Sequence, residues 1–437
     1  MRVTVIGCGY LGATHAAAMA ELGHEVLGME IDPAKRAALA EGRVPIYEPG
    51  LADLLARHVA SGQLRFTDSY AEVASWGDLH FLCVGTPQQA ESLAADVSQV
   101  HAAVEGLAPY LDRPGLVVGK STVPVGTAAW VSGRLAALAP AGGEALLAWN
   151  PEFLREGHGV EDSLRPDRIV LGVADGRAEK LLRDFYRPMI DAGTPVVVTD
   201  FATAELVKIA ANAFLATKIS FINAMAEVCE ATGADVVDLA DSLGHDVRIG
   251  RPFLNAGIGF GGGCLPKDIR AFVHQAGELG VEDAMTFLRH VDGVNQRQRE
   301  RVVDVAHAML GGRLAGARIG VWGAAFKPDS DDARDSPALW IAGQLQLRGA
   351  QVQVYDPRAR ETAREVFPTL AYADSAIDAC RGADLVLHLT EWPEFRSITP
   401  SDLDGVVAHP RIFDGRNVLD LDAWRSAGWT VRALGRP

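Results

Sequence analysis

The first 35 residues contain the pattern that most restricts the fold of this chain. An apolar run, RVTVI, leads into a glycine turn, an alanine-rich segment and a second apolar run that ends at Glu30 and Asp32. A strand, a tight turn, a helix and another strand in this order form a βαβ unit, in which the two strands are parallel. The sequence therefore predicts an α/β fold.

The turn after the first predicted strand has the spacing of a dinucleotide-binding site. Gly7, Gly9 and Gly12 form GxGxxG, and Glu30 lies 18 residues after Gly12. With a strand before it and a helix after it, this pattern predicts a pyrophosphate on the helix N-terminus. Glu30 would accept hydrogen bonds from the ribose and repel a 2′-phosphate, so we predict NAD rather than NADP.

Two further apolar runs in the first half predict strands of the same sheet. DLHFLC leads to Thr86, and GLVVG leads to Thr122. Open α/β sheets bind ligands outside the carboxyl ends of their strands, so both threonines are candidate ligand contacts. The alternative, that both are ordinary turn residues, stays open.

The same order of elements begins again near residue 318. ARIGVWGAAF predicts a strand and a glycine turn, AQVQVYDPRA a strand ending at Asp356, and ADLVLHLTEW a third strand. This turn lacks GxGxxG and contains Lys327, so a different phosphate ligand is expected there. We predict two Rossmann-like, doubly wound domains in one chain.

A long helix is predicted between the two halves. Residues 202–232 contain no glycine or proline and are followed by Gly233, a typical residue just beyond a helix end. Such a helix is about 46 Å long, which favours a connector and an interface between chains over simple core packing, although core packing stays open. The predicted division is an NAD-binding domain over 1–200, a helical connector with a cysteine loop over 201–300, and a second Rossmann-like domain over 301–437.

Charge and composition exclude several classes of function. The formal net charge is −15 with no basic stripe, which argues against a nucleic-acid partner. We expect a soluble cytoplasmic protein without a membrane span, because no long uninterrupted apolar run occurs and the five scattered cysteines fit reduced thiols. No HxxxH, HExxH or CxxC spacing occurs, so no metal site is expected.

The segment GFGGGCLPKD carries the strongest candidate for covalent chemistry. Four glycines precede Cys264, and Pro266 allows a helix to begin directly after it. A helix N-terminus stabilises a thiolate, so Cys264 is predicted to be a nucleophile, with Asp268 on the same helical face. For the other four cysteines an inert buried role is an equal alternative.

Two pairs spaced four residues apart supply further candidates. Lys208 and Asn212 would project from one face of the long helix and suit an oxyanion, although a solvated lysine is the ordinary alternative. Glu152 and Glu156 could divide base and positioning roles, or could simply bind backbone amides. The acidic loop DSDDARDS lacks the EF-hand pattern, so we expect it to be solvated, with Arg334 facing an anion.

The motifs together resemble a known family. GCGYLG, YEPGL, VGTP, KSTVPVGT, NPEFLREG, the long helix, GFGGGCLPKD and AAFKPDSDDARDSPA are similar to the UDP-glucose/GDP-mannose dehydrogenase family over nearly the whole chain. The resemblance implies a four-electron oxidation of a nucleotide sugar by two NAD⁺, through a thiohemiacetal and a thioester on Cys264. UDP-glucose, oxidised to UDP-glucuronate, is the implied substrate.

Alternatives to this activity are the same chemistry on TDP-glucose, GDP-mannose or an N-acetylated UDP-sugar, and a protein that binds NAD and a sugar nucleotide without turnover. Binding alone would not need the set of Cys264, Lys208, Asn212 and Asp268. A simple two-electron hydroxyacid dehydrogenase would have no use for the thiol.

The resemblance also implies roles for individual residues. The implied catalytic residues are Cys264, Lys208, Asn212, Asp268, Thr122 and Glu152. The implied NAD contacts are Gly7, Gly9, Tyr10, Leu11, Gly12, Glu30, Lys35, Thr86, Thr122, Glu156, Lys267 and Arg334. The implied sugar-nucleotide contacts are Glu152, Phe153, Leu154, Lys208, Asn212, Phe253, Leu254, Gly261, Lys327 and Arg416, with Arg248 reaching a neighbouring subunit of a dimer or larger homo-oligomer.

Two positions depart from the family's usual pattern. Glu30 stands where aspartate is more common, and Gly263 stands where serine usually precedes the cysteine. Neither change removes a group that the implied mechanism requires.

Overall fold

A computed structural model describes residues 1–44 and 46–437. The chain divides into two compact units, residues 1–211 and 212–437, and the division falls inside one long helix. The fold class predicted from the sequence is confirmed: the chain has two Rossmann-like domains and a long central helix. The three-part division at residues 200 and 300 stays a prediction.

The first unit is built on an eight-stranded sheet with the order β3-β2-β1-β4-β5-β6-β7-β8. Its first six strands follow the order of dinucleotide-binding domains, and only the pairing of β6 with β7 is antiparallel among the described strands. The strands are β1 Arg2–Ile6, β2 Glu25–Met29, β3 Leu64–Thr67, β4 Leu79–Leu82, β5 Gly115–Gly119, β6 Ala145–Trp149, β7 Ile169–Val173 and β8 Val196–Thr199.

Helices cover both faces of this sheet, and a separate apolar core lies on each side. Buried alanines of the first helix pack against the strands, which allows a close approach of helix and sheet. The helices are α1 Tyr10–Glu21, α2 Pro33–Ala40, α3 Leu51–Ala60, α4 Tyr70–Trp76, α5 Ser98–Leu107, α6 Thr127–Leu138, α7 Gly159–Leu164, α8 Gly176–Phe185 and α9 Arg187–Asp191.

The sequence interpretation missed the edge strand β3. The sequence predicts two strands before DLHFLC and GLVVG, which makes these runs the third and fourth strands. In the structure they form β4 and β5, because LRFT pairs with β2 ahead of them. Only the two end residues of these four are buried, so the segment lacks the continuous apolar run of the inner strands.

The long helix is confirmed as α10, Phe201–Thr232, followed by Gly233 in the left-handed conformation with φ 78°. Its length and apolar composition would also suit a membrane span. Buried polar side chains at Glu205, Lys208 and Asn223 instead make contacts inside the units, which is typical of a core helix in a water-soluble protein.

The second unit repeats the topology with a six-stranded parallel sheet in the order β11-β10-β9-β12-β13-β14. This order matches that of the first six strands of the first unit, so the predicted second Rossmann-like domain is present. The strands are β9 Arg318–Trp322, β10 Gln351–Tyr355, β11 Ala371–Tyr372, β12 Leu385–His388, β13 Arg411–Asp414 and β14 Thr430–Ala433.

The helices of the second unit fall into two groups. Those between residues 212 and 310 form apolar clusters with the second part of α10, and the others surround the sheet. They are α11 Val236–Gly244, α12 Leu265–Glu278, α13 Thr286–Met309, α14 Pro337–Leu347, α15 Arg360–Val366, α16 Ala376–Ala379, α17 Pro393–Ser397 and α18 Leu421–Ser426.

Candidate functional site

The glycine turn of the first unit has the geometry that a pyrophosphate requires. Gly7 has φ 87°, and a Cβ built on Gly12 would lie 1.8 Å from the Gly7 carbonyl oxygen, so helix and strand meet too closely for a side chain. A Cβ built on Gly9, which precedes α1, would meet no atom of the described residues within 4 Å. The space in front of this helix N-terminus fits a dinucleotide phosphate.

The carboxylate of Glu30 is buried beside this turn. It accepts a hydrogen bond from the Cys8 amide at 3.3 Å and another from the Asp32 amide at 3.0 Å. Arg36 donates to the Glu30 carbonyl oxygen, and Asp68 neutralises its guanidinium at 2.9 Å. The Glu30 carboxylate is therefore held in place where a ribose would bind. The nearby Arg36 is paired with Asp68, so it does not offer a separate cation to a 2′-phosphate. Lys35 is exposed in the first turn of α2.

The two candidate threonines lie together at the carboxyl ends of β4 and β5. The Thr86 hydroxyl donates to the Thr122 carbonyl oxygen at 2.7 Å. Val84, just ahead of Thr86, would lie 2.9 Å from a Cβ built on Gly7. Both threonine segments thus border the glycine turn, whereas their contacts with a ligand stay a prediction.

A buried ion pair joins Glu152 to the long helix. Lys208 Nζ lies 2.9 Å from Glu152 Oε1, and the two side chains are 7% and 13% exposed. Glu152 Oε2 also accepts from the Leu154 amide at 2.7 Å. The Lys208 ammonium lies 5.7 Å from the centre of the Phe153 ring. The alternative of a solvated lysine is therefore wrong, and Lys208 is a fixed, desolvated cation.

Glu156 belongs to a different part of the same loop. It is half-buried, and its charge is one of the factors that raise the pKa of Tyr10, after burial and the Glu48 carboxylate. The structure pairs Glu152 with Lys208, so the two glutamates do not form a pair of similar carboxylates. Leu11, the residue after Tyr10, is half-buried at the start of α1.

In the second unit Cys264 is exposed and is the N-cap residue of α12. The Asp268 amide donates to the Cys264 carbonyl oxygen at 3.0 Å, so one helical turn separates the thiol from the buried Asp268 carboxylate. That carboxylate accepts from Asn212 Nδ2 at 2.6 Å and from Lys267 Nζ at 2.5 Å. The sequence-predicted Asn212, Asp268 and Lys267 thus form one hydrogen-bonded cluster.

The other four cysteines, Cys8, Cys83, Cys229 and Cys380, are buried. Burial is the first cause that raises the thiol pKa of each, to about 12 for Cys83 and Cys380. Thiols of this kind stay protonated and unreactive near neutral pH. The inert alternative holds for these four, and Cys264 is the exposed exception.

Close packing explains the glycines ahead of Cys264. A Cβ built on Gly261 would lie 2.3 Å from the Asp335 carbonyl oxygen, and one on Gly262 would lie 2.8 Å from the Phe326 ring. At Gly263 it would lie 2.4 Å from the Arg334 guanidinium carbon, so a serine would force that flexible side chain to move. Arg334 is held by both oxygens of Asp332.

The predicted sugar-nucleotide residues of the second unit are in three places. Arg416 donates to the carbonyl oxygens of Leu389 at 2.6 Å and Phe326 at 3.1 Å, which brings it to the turn that carries Lys327. Phe253 has a left-handed φ of 66°, and the adjacent Leu254 is buried in a core. Arg248 is 85% exposed and pairs with Asp246.

The sequence analysis assigned no role to two buried carboxylates, Glu48 and Asp356. Glu48 accepts hydrogen bonds from Tyr10 and from two loop amides, although its motif YEPGL was recognised only as part of the resemblance. Asp356 Oδ2 accepts from the Ala324 and Ala325 amides at 2.8 and 2.9 Å, and so occupies the turn after β9. The position of Asp356 at the end of β10, matching Glu30, was an available signal.

Fold and site together define an α/β oxidoreductase with one NAD-type glycine turn and a second nucleotide-binding unit. The chain belongs to the UDP-glucose/GDP-mannose dehydrogenase family. The family's NAD-binding domain matches residues 1–190 of this chain, the family's central domain matches residues 202–297, and the family's UDP-binding domain matches residues 320–421. The predicted family and the prediction of NAD as cofactor are confirmed.

Relatives of known name cover the entire chain. The UDP-glucose 6-dehydrogenase of Rhizobium meliloti is 42% identical over 442 residues and covers 100% of both chains. The UDP-glucose 6-dehydrogenase of Pseudomonas aeruginosa is 40% identical, and the match covers 100% of this chain and 98% of that enzyme. A UDP-glucose dehydrogenase structure from Pyrobaculum islandicum has a TM-score of 0.91 at 37% identity, covering 100% of this chain and 97% of its own. The prediction of an NAD-dependent enzyme of this family is thereby confirmed.

The charge of Glu30 predicts the choice of cofactor. We expect kcat/KM for NAD⁺ to exceed that for NADP⁺ by about 100-fold, because a 2′-phosphate would meet a buried carboxylate. Glu30→Gln keeps the size of the side chain and should narrow this ratio, mainly by improving the use of NADP⁺. Steady-state kinetics with both cofactors measures the effect.

The matched control is Glu25→Gln, at the exposed start of β2, which should leave the ratio unchanged. Equal kcat/KM values for the two cofactors in the unmodified enzyme would contradict the assignment of Glu30.

Proposed function

We propose that this chain oxidises the primary alcohol at carbon 6 of UDP-glucose to a carboxylate, giving UDP-glucuronate. The observation that carries the proposal is the exposed Cys264 thiol at the start of α12, one turn from the Asp268–Asn212–Lys267 cluster. The full-length relatives named as UDP-glucose 6-dehydrogenases support the substrate.

The first oxidation converts the alcohol to an aldehyde. When held at the glycine turn beside Glu30, NAD⁺ would supply the hydride acceptor for each of the two oxidations. The chain must take up the hydroxyl proton and stabilise the oxygen as its charge changes. Lys208 suits the second task because its ammonium is desolvated and held by Glu152 at 2.9 Å. Asn212 lies one turn further along α10 and offers an amide donor.

The second oxidation needs a nucleophile, because an aldehyde carbon must gain a fourth substituent before it can lose hydride. The Cys264 thiolate forms a C–S bond to that carbon while the C=O double bond becomes a single bond. The oxygen takes up a proton, and a thiohemiacetal results. Loss of hydride gives a thioester. Water then forms the new C–O bond while the C–S bond breaks, and the Cys264 thiolate is released. Per sugar, the alcohol, one water and two NAD⁺ become the carboxylate, two NADH and three protons.

Water must be activated for that last step. We assign Glu152 to accept a proton from it, and Asp268 and Thr122 to hold it, as the family resemblance implies. Glu152 is suited to this because the Lys208 ammonium and the Leu154 amide hold its carboxylate in one orientation. Its partial burial strengthens its interaction with the reacting water.

The second unit supplies cations for the nucleotide. Lys327 and Arg416 belong to neighbouring segments, since Arg416 donates to the carbonyl oxygen that precedes Lys327. We assign both to the substrate, together with Phe253, Leu254 and Gly261 in that unit and Phe153 and Leu154 in the first unit. Lys35, Thr86 and Glu156 are assigned to NAD in the first unit, and Lys267 and Arg334 in the second.

We also propose that the active form is at least a dimer, in the cytoplasm, with α10 in the interface. Phe214, Phe221 and Val228 follow each other every seven residues and are 67%, 48% and 50% exposed. Side chains at this spacing form an apolar stripe along one side of a helix, and a second copy of the same helix can cover it. Exposed Arg248 would then serve the neighbouring chain.

Replacement of Cys264 tests the covalent route. Cys264→Ser should lower the rate of acid formation by at least about 1,000-fold, because a serine hydroxyl is far less nucleophilic than a thiolate. Binding of NAD⁺ and of UDP-glucose, measured by titration calorimetry, should persist. The unmodified enzyme should release two NADH per sugar, followed by NADH absorbance with product quantified by chromatography.

Cys380→Ser, a buried cysteine of the same unit, is the matched control and should retain the stoichiometry. Two NADH per sugar from Cys264→Ser at a near-normal rate would rule out thioester catalysis. The choice of substrate is tested separately. The value of kcat/KM for UDP-glucose should be higher than the values for TDP-glucose, GDP-mannose and N-acetylated UDP-sugars. A higher value for any of these would rule out UDP-glucose as the proposed substrate.

Replacement of the apolar stripe tests the interface. The double variant Phe214→Glu, Phe221→Glu should shift the light-scattering mass toward the 46.5 kDa of one chain, because like charges would face each other across the interface. Leu347→Glu alters an exposed apolar residue of α14 and should leave the mass unchanged. A mass of 46.5 kDa for the active unmodified enzyme would exclude the dimer.

A further inference from the structure

Glu48 is a buried carboxylate for which neither step of the proposed reaction has a use. It lies in the connection between α2 and α3 and is 4% exposed. A buried carboxylate is stable only when donors surround it. The identity of its donors therefore indicates what it holds.

Its donors come from two segments far away in the sequence. Glu48 Oε1 accepts from the Gly159 amide at 2.7 Å, and Oε2 accepts from the Gly157 amide at 2.7 Å. The Tyr10 hydroxyl donates to Oε2 as well, and in turn accepts from the Gly157 amide at 3.1 Å. One carboxylate thus connects the first residue of α1 to the end of the loop before α7.

Packing around these bonds is tight. A Cβ built on Gly159 would lie 3.1 Å from the Tyr10 hydroxyl and 3.4 Å from the carboxyl carbon of Glu48. The loop backbone is therefore in contact with both side chains. Burial and the neighbouring Glu48 carboxylate raise the pKa of Tyr10, so its hydroxyl stays protonated as a donor.

The other end of this loop is anchored independently. Asn150, which follows β6, donates to the Val170 carbonyl oxygen at 2.9 Å. Its side-chain oxygen accepts from Lys120 at 3.0 Å and from Tyr186 at 2.6 Å. The loop is thus held at Asn150 and again at Gly157 and Gly159. Glu152, the partner of Lys208, lies between these two anchors.

We propose that Glu48 is a positioning residue for the reaction: by holding the second anchor, it keeps Glu152 oriented for thioester hydrolysis. Because Tyr10 directly follows Gly9 of the phosphate turn, the same carboxylate ties this loop to the cofactor-binding turn. The role of Glu152 rests on the proposed function, whereas the anchoring of the loop does not.

The variant Glu48→Gln tests whether the negative charge of Glu48, and not only the size of its side chain, holds the loop. Glu48→Gln keeps the length of the side chain but has a single oxygen, so its NH₂ group must face the amide of Gly157 or of Gly159. Two donors then oppose each other and one anchor bond is lost. Tyr10→Phe removes a hydroxyl but leaves both amide bonds, so its effect should be smaller.

The matched control is Glu205→Gln. Glu205 is another buried carboxylate of the first unit, and it accepts from the Gly126 and Ala128 amides at 2.8 and 2.6 Å. It holds the start of α6 instead of the loop that carries Glu152. Each variant removes one bond of a buried carboxylate to a backbone amide, so the loss in the free energy of unfolding should be similar in Glu48→Gln and Glu205→Gln. Only Glu48→Gln should also affect the loop that carries Glu152.

The first measurement is hydrogen exchange of the full-length enzyme, read by mass spectrometry. In Glu48→Gln, exchange at the amides of 157–159 should rise about tenfold, with little change at 126–128. Glu205→Gln should show the reverse. Unchanged exchange at 157–159 would overturn the proposed anchor, whatever the enzyme oxidises.

The second measurement is rapid-mixing kinetics with saturating NAD⁺ and UDP-glucose. Glu48→Gln should lower kcat by about 100-fold with less than about a threefold change in the KM for NAD⁺, as expected when a catalytic group is displaced. A burst of two NADH per site should precede the slow phase, and quenched enzyme should carry the sugar-nucleotide thioester on Cys264. Glu48→Asp, which keeps the charge, should recover part of the rate.

These outcomes separate the two proposals. If the unmodified enzyme fails to oxidise UDP-glucose while exchange at 157–159 rises as expected, the proposed substrate is wrong and the anchor is right. If kcat falls equally in Glu48→Gln and Glu205→Gln without a burst, Glu48 serves only stability and the positioning role is wrong.

Discussion

Parallel pairing of the strands is the constraint on which both units depend. Strands that run in one direction end at the same edge of the sheet, so the residues that follow them gather there. In the first unit this edge receives the glycine turn after β1, Glu30 after β2, and Thr86 and Thr122 after β4 and β5. Strand β6 pairs in parallel with β5 and delivers the loop that contains Glu152 to the same edge. The positions of these residues therefore follow from the register of buried strands.

Compensated burial of charge fixes polar side chains within each of the two units. Lys208 faces Glu152, Asp268 faces Asn212 and Lys267, and Glu48 faces Tyr10 and two amides. Each group is stable in a buried place only while its partners are present, and removing one leaves the other unpaired. Groups held in this way would not have to be reoriented during the proposed reaction.

The two units share a strand order but differ in the turn that follows their first strand. In the first unit, the space at Gly9 is open and Glu30 lies to the side of the turn. In the second, Asp356 accepts from two consecutive turn amides, which are then not available to a pyrophosphate. One carboxylate therefore makes the second turn unsuitable for a dinucleotide, and we propose that Lys327 and Arg416 supply the cations of that unit instead. This division agrees with the separate NAD-binding and UDP-binding domains of the family.

The sequence by itself determined the features that depend on neighbouring residues. Four features follow from residues within a few turns or within one supersecondary unit: the βαβ pattern, the GxGxxG turn, the end of α10 at Gly233 and the place of Cys264 ahead of α12.

Only the tertiary structure decided which distant groups meet. The edge strand β3 was missed because its four residues have little apolar signal of their own. The burial of Lys208 against Glu152, and the contact of Glu48 with amides 109 and 111 residues away, join positions between which local patterns carry no information. Packing of the whole unit creates those contacts, because a buried charge selects its partners by where the sheet and helices place them.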